Sequence, residues 1–280
     1  VETASSLRNK TIVITGASRG IGREIAIKCA KDGANIVVAA KSSEPNPRLP
    51  GTIHTVAEEI RACGGQALPV QVDVRDEEQV KTMAERAFQT FGGIDALVNN
   101  AGAIQLTSTE QTPIKRYDLM QAVNVRATFM CTQACLPYLK EAAKKATHPK
   151  VINLSPPIDL NPKWLKNHLA YSLSKYSMSL CTLGWAEEFK PFGIVVNSLW
   201  PKTLIGTAAI DMLMGSTGRL RSRNPEIVAD AIYLLLTHTD FSLTGKTLLD
   251  EEVLKAHGIT DFSRYQSDPG ASLLNDLFVE

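Results

Sequence analysis

Seven apolar runs of strand length, separated by stretches long enough for a helix, constrain this chain more than any other feature. They are TIVIT (11–15), NIVVAA (35–40), ALPVQVD (67–73), ALVNNA (96–101), KVINLS (150–155), IVVNSLW (194–200) and KTLLD (246–250), most of them 20–50 residues apart. Parallel strands require crossovers of about that length. Helical periodicity fills the gaps. Ile21, Ile25 and Cys29 share a face of the first, Val80, Met83, Ala84 and Ala87 a face of another, and Ile227, Ala231, Leu234 and Leu235 a face of a late one. Strands of near-continuous Val and Ile, without polar alternation, belong in a sheet covered on both faces. The expected fold class is therefore α/β, a doubly wound parallel sheet flanked by helices on both faces.

The first strand runs into KTIVITGASRGIG (10–22), where Gly16, Gly20 and Gly22 are spaced G-x-x-x-G-x-G before a helix begins. At the carboxyl end of a first strand, such a turn presents backbone N–H groups and a helix N-terminus to a pyrophosphate. A tight turn alone would use the same glycines. Composition narrows the partners. Thirty basic residues against 29 acidic ones leave a net charge of +1, no electrostatic footprint for nucleic acid, so the expected ligand is a small molecule. Five cysteines form no C-x-x-C pair. A disulfide framework or metal site is not expected, and Cys131 and Cys135 read as small buried apolar residues. No apolar run reaches the ~18 residues of a membrane span. The expected setting is intracellular and reducing, the cytoplasm first, with peroxisome or mitochondrion as the alternatives in a eukaryote.

T-G-x-x-x-G-x-G at 15–22, N-N-A-G at 99–102 and Y-x-x-x-K at 171–175 occur here in one order. From about residue 7 to residue 250 the sequence resembles the short-chain dehydrogenase/reductase family, whose fold is Rossmann-type. The resemblance implies one domain over 1–280, with a core at 7–250 and a C-terminal tail at 251–280. The apolar, glycine-containing segment 204–225 has the composition of a substrate lid and equally that of an exposed interface helix.

Roles follow position by position. Tyr171 and Lys175 lie one helical turn apart, so the lysine ammonium is expected to favour the phenolate. The resemblance makes Tyr171 the proton donor to a carbonyl and Lys175 the holder of the nicotinamide ribose. Asn124 matches the asparagine of the family's proton relay; a polar residue satisfied by backbone is the competing reading. The phosphate turn is implied to use Gly16, Ser18, Arg19, Gly20, Ile21 and Gly22. Asn99, Ala101 and Gly102 match the adenosine side, Asp73 the adenine contact or a plain helix cap, and Pro201 and Thr203 the segment over the nicotinamide. His168, close to Tyr171, borders the site.

Two positions depart from the family. Strand register puts Pro156 where the family has its carbonyl-polarising serine, with Ser155 one residue earlier and so turned to the other face. Lys202 stands in WPKT where a glycine is usual. At the end of the second strand Ala40 and Lys41 replace the acidic residue of NAD-preferring folds, and Lys41 with Arg19 supplies two cations for the extra phosphate of NADP. Two solvated surface cations would look the same. The expectation is an NADP-dependent oxidoreductase interconverting a carbonyl and a secondary alcohol, on an apolar, fatty or steroid-like substrate, in a homodimer or homotetramer. The alternative is an NADP-binding scaffold of weak or no catalysis that acts through a protein partner.

Overall fold

The computed structural model describes residues 5–47, 49–145 and 148–280, so the first four residues of the expected domain lie outside it. In chain order the main elements are β1 (Thr11–Thr15), α1 (Gly20–Ala30), β2 (Asn35–Ala40), α2 (Ile53–Ala62), β3 (Gln66–Gln71), α3 (Glu77–Phe91), β4 (Ala96–Asn99) and α4 (Ile114–Met120). They continue as α5 (Ala127–Ala143), β5 (Lys150–Leu154), α6 (Leu169–Phe189), β6 (Val195–Trp200), α7 (Ala208–Leu220), α8 (Glu226–Thr237), β7 (Thr247–Leu249) and α9 (Asp250–Ala256).

All strand pairings are parallel, in the order β3-β2-β1-β4-β5-β6-β7. Alternate residues of each strand feed two cores. Ile12, Ile14, Ile36 and Val38 pack with α1, α2 and α8, whereas Val13, Val37, Leu97 and Val196 pack with α3, α5 and α6. Each such fully buried side chain contributes about 1.5–3 kcal/mol. Helices on both faces make the sheet doubly wound, as expected. The strand order reverses between β1 and β4, and this switch point opens a crevice above the carboxyl ends of the strands.

Candidate active site

The crevice is a cleft of about 1710 Å³. One wall is the turn from β1 into α1. Gly16 has φ +68°, and a Cβ there would come within 2.9 Å of the Ala101 Cα; at Gly22 it would lie 2.5 Å from both the Asn100 amide nitrogen and the Gly16 carbonyl. The absent side chains are thus what lets the turn after β4 close on the turn after β1. Two residues lock the pair. The Thr15 hydroxyl accepts from the amides of Asn100 and Ala101, each at 3.1 Å, and the Asn100 side chain donates to the carbonyls of Thr15 and Gly16. The α1 N-terminus carries no side-chain cap, which leaves its first N–H groups to a ligand. A dinucleotide pyrophosphate fits this bare, uncapped cradle.

Gly16, Ser18, Arg19, Gly20 and Ile21 line the cleft, as do Lys41, Asp73, Ala101 and Gly102. Asn99 is placed elsewhere: its side chain is buried in a polar network, donating to Asn153 at 2.9 Å and Thr132 at 3.1 Å. Gly22 lies behind the turn, against Asn100 and Gly16, and does not line the cleft, and Pro201 and Thr203 are buried away from it.

At the adenosine end the two expected cations differ. Arg19 is clamped by the loop before α2, donating to Ser42 Oγ at 3.0 Å and to the carbonyls of Leu49, Pro50 and Gly51 at 2.9–3.2 Å. Burial lowers its pKa, and no carboxylate among the described residues pairs with it. Lys41 is exposed and pairs with Asp73 at 3.2 Å. Asp73 is also held by Arg75, whose guanidinium keeps the carboxyl well below the usual range. The Arg19 clamp and Arg75 escape a reading of local motifs. Their only signals are Gly51, at φ +98°, and the cation two residues after Asp73.

Tyr171 and Lys175 share a face of α6 and are 5% and 6% exposed. The Lys175 ammonium donates to the Leu154 carbonyl at 2.8 Å and lies 5.2 Å from the Trp200 ring centre. Burial, then the nearby Asp276 carboxyl, pushes the Tyr171 phenol well above its ordinary pKa, and burial lowers that of Lys175. The expected pull of the lysine toward the phenolate does not show at Tyr171: burial favours the neutral phenol, and the Lys175 ammonium is bonded to the Leu154 carbonyl.

Asn124 sits in a π-helical turn, Gln121–Arg126, fully buried. It accepts from the Ala103 amide at 2.8 Å and donates to the Ala103 carbonyl and Ser174 Oγ, both at 2.9 Å, so its side chain is satisfied by protein. Ser155 is fully buried, and its hydroxyl has no protein partner. His168, 8% exposed, likewise has an unpartnered Nε2, and burial lowers its pKa.

The end of the C-terminal tail packs on this chain. Phe278 and Val279 are buried with Met120, Tyr171, Tyr176 and Trp200. The segment 204–225 borders the cleft through Ala208, Ala209 and Met212, and α7 is broken at Gly215. Lys202, the second departure, has its carbonyl accept from the Asp276 amide at 3.1 Å and its ammonium donate to the Glu280 carbonyl. Cys131 and Cys135 are buried, and among the described residues no cluster suits a metal ion and no helix is long and apolar enough to cross a membrane.

The short chain dehydrogenase family matches residues 10–214. Hydroxysteroid dehydrogenase-like protein 2 of Danio rerio is 52% identical over 280 residues, all of this chain and 66% of that protein; its Homo sapiens counterpart is 54% identical over 270 residues, 96% of this chain and 63% of that protein. The chain thus spans less than two thirds of the length of the curated relatives it matches. A crystal structure assigned as a dehydrogenase from Xanthomonas campestris superposes with a TM-score of 0.94 at 51% identity, covering 98% of this chain and 99% of that one. Of two further solved structures, a metagenomic short-chain oxidoreductase in complex with NADP is 28% identical (TM-score 0.71; 88% of this chain, 98% of that one) and an NADH-dependent reductase complexed with NAD is 25% identical (0.72; 87% and 95%).

Proposed function

The chain belongs to the short-chain dehydrogenase family, and from that premise we propose that it is an NADP-dependent oxidoreductase interconverting an apolar carbonyl compound and its secondary alcohol. The observation that carries this reading is the meeting, at the switch point of the sheet, of a bare glycine cradle with the Tyr171–Lys175 pair on α6. When bound, the nicotinamide supplies or accepts the hydride. The chain's own residues do the rest. The Tyr171 hydroxyl, held protonated by burial, gives its proton to the carbonyl oxygen in reduction. Lys175, anchored to the Leu154 carbonyl, holds the ribose side of the site. Asn124 braces the Ala103 backbone against Ser174 and so fixes the floor between them. Ser155 Oγ is one polar atom without a partner at the end of β5, and Pro156 offers no hydroxyl of its own.

Preference for NADP rests chiefly on Arg19, a guanidinium pre-placed by backbone carbonyls and free of a carboxylate, with Lys41 and Arg75 outnumbering Asp73 beside it. The aromatic and aliphatic residues packed around Tyr171 support an apolar substrate. A face of α5 and α6 exposing Phe129, Leu173, Leu180 and Leu183 supports self-association into a homodimer or homotetramer. In the same reading residues 1–280 are one dehydrogenase domain.

The test is NADPH oxidation over a panel of ketones and aldehydes, with NADPH and NADH affinities measured alongside. NADPH is expected to bind at least tenfold tighter, about 1.4 kcal/mol, and Arg19→Ala to erase that margin. Equal affinities in the wild type overturn the cofactor assignment. Tight NADPH binding without turnover on any carbonyl selects the scaffold reading, which the proline at position 156 and the closed site favour.

A further inference from the structure

The ring of Phe278 packs beside that of Tyr171, the proton donor of the proposed reaction. Five rings surround it: Tyr176 at 5.1 Å between centres, Trp200 at 6.0 Å, His168 at 6.1 Å, Trp164 at 6.2 Å and Tyr171 at 6.3 Å. Phe278 is 3% exposed and Tyr171 beside it 5% exposed. The open cleft reaches Gly102 and Ala103 but stops short of Tyr171 and Lys175.

The geometry points to residues 275–279 as a displaceable plug that occupies the substrate's place, and to the space behind it as a subsite for a ligand carrying an aromatic ring next to its carbonyl. Three observations support displacement over permanent closure. Phe278 is held at φ +69°, a left-handed conformation unfavourable to any residue with a Cβ, so its release relieves backbone strain. Within 275–279 the ties to the rest of the chain are an antiparallel bridge from Asn275 to Thr203, the Asp276 amide to the Lys202 carbonyl at 3.1 Å and the Trp200 indole to the Leu277 carbonyl at 2.9 Å, while Leu274, bonded to Leu204 and Arg221, and Glu280, bonded to Lys163 and Lys202, hold its two ends as hinges. The His168 ring stacks on Phe278 at 15°, and its Nε2 is buried without a protein partner. A buried polar atom without a partner is costly. The His168 Nδ1–H donates to the Lys166 carbonyl, so Nε2 is an acceptor, and the hydroxyl of the alcohol form of such a ligand can donate to it where a phenylalanine ring cannot.

The ring-lined space also explains the class of ligand. A flat apolar group can exchange for Phe278 against the same five faces, the offset and tilted contacts aromatic pairs prefer. The inference rests on Tyr171 as the proton donor of the proposed reaction, and the test separates the two. Acetophenone, an aromatic ketone, is the probe. In the wild-type protein with NADPH present, amide hydrogen exchange at 274–279 is expected to speed up at least tenfold on adding acetophenone. A wall of the pocket would be protected instead, so slower or unchanged exchange overturns the plug. In steady state, Phe278→Ala is expected to lower the KM for acetophenone fivefold or more with kcat no lower, and Phe278→Leu, which keeps apolar packing, to fall between. A raised or unchanged KM in both variants overturns it. Faster exchange without any turnover leaves the plug standing and removes the oxidoreductase reading; turnover with slowed exchange does the reverse.

Discussion

Replacing Thr15 by Val tests whether one buried hydroxyl holds the cofactor cradle together. Valine keeps the shape of the side chain at the carboxyl end of β1 and removes the oxygen that accepts from the amides of Asn100 and Ala101. The Asn100 amide also reaches the Val98 carbonyl at 3.1 Å and keeps that partner. The Ala101 amide has the threonine oxygen as its acceptor and is orphaned. An orphaned amide costs about 1–3 kcal/mol, and a weakened shared bond adds about 0.5 kcal/mol. The expected loss is therefore about 1.5–3.5 kcal/mol, read as a drop in the urea midpoint of about 0.5–1.2 M for a slope near 3 kcal/mol/M. NADPH affinity is expected to fall severalfold in the same protein, because the Asn100 side chain that closes the glycine turn rides on this backbone. Thr15→Ser restores the oxygen and should recover most of both losses. A change within ~0.5 kcal/mol, the range of an ordinary surface substitution, with NADPH binding intact would refute the claim that this hydroxyl couples the two turns.

Gly22→Ala is expected to weaken NADPH binding at least tenfold and lower the melting temperature, since its methyl would stand 2.5 Å from Asn100 and from the Gly16 carbonyl; calorimetric titration and a thermal scan check both. Asp276→Asn is expected to alter pH dependence. Burial, only partly offset by its bond from the Leu277 amide, raises the Asp276 carboxyl to about 7. A carboxyl raised on folding adds stability that is complete below its unfolded value of ~4 and is lost as pH rises through the folded value. The variant should therefore match the wild type near pH 4 and exceed it at pH 8, and urea melts at the two pH values that show no such divergence would contradict the assignment.

Much of this arrangement is legible in the sequence because a few residues carry it unambiguously. Continuous Val and Ile runs can only be central parallel strands, and Gly16 and Gly22 are spaced as the crossing of two turns requires. The edge of the sheet is less legible: β3 spans Gln66–Gln71 rather than 67–73, because an edge strand tolerates polar ends and its apolar run drifts past the last ladder bond. The π-helical turn around Asn124 leaves no periodicity to read. The setting of Tyr171 escapes too, since the four-residue spacing to Lys175 reveals the neighbour but not the burial and the Asp276 carboxyl that raise the phenol. The plug is the least legible part. DPGASLLNDLFVE has no helical or strand period, and Phe278 reaches the site through a left-handed backbone turn that its residue type disfavours.

The central claim is that the Tyr171 hydroxyl is the proton donor in an NADPH-dependent carbonyl reduction. Tyr171→Phe removes one oxygen and leaves the ring to pack against Phe278 and Met120. Single-turnover oxidation of bound NADPH by a ketone that the wild type reduces is the most direct measurement. The account predicts a rate at least a hundredfold lower in Tyr171→Phe, the scale of a lost general acid, with NADPH affinity within twofold of wild type; a variant that still transfers hydride at the wild-type rate would contradict it.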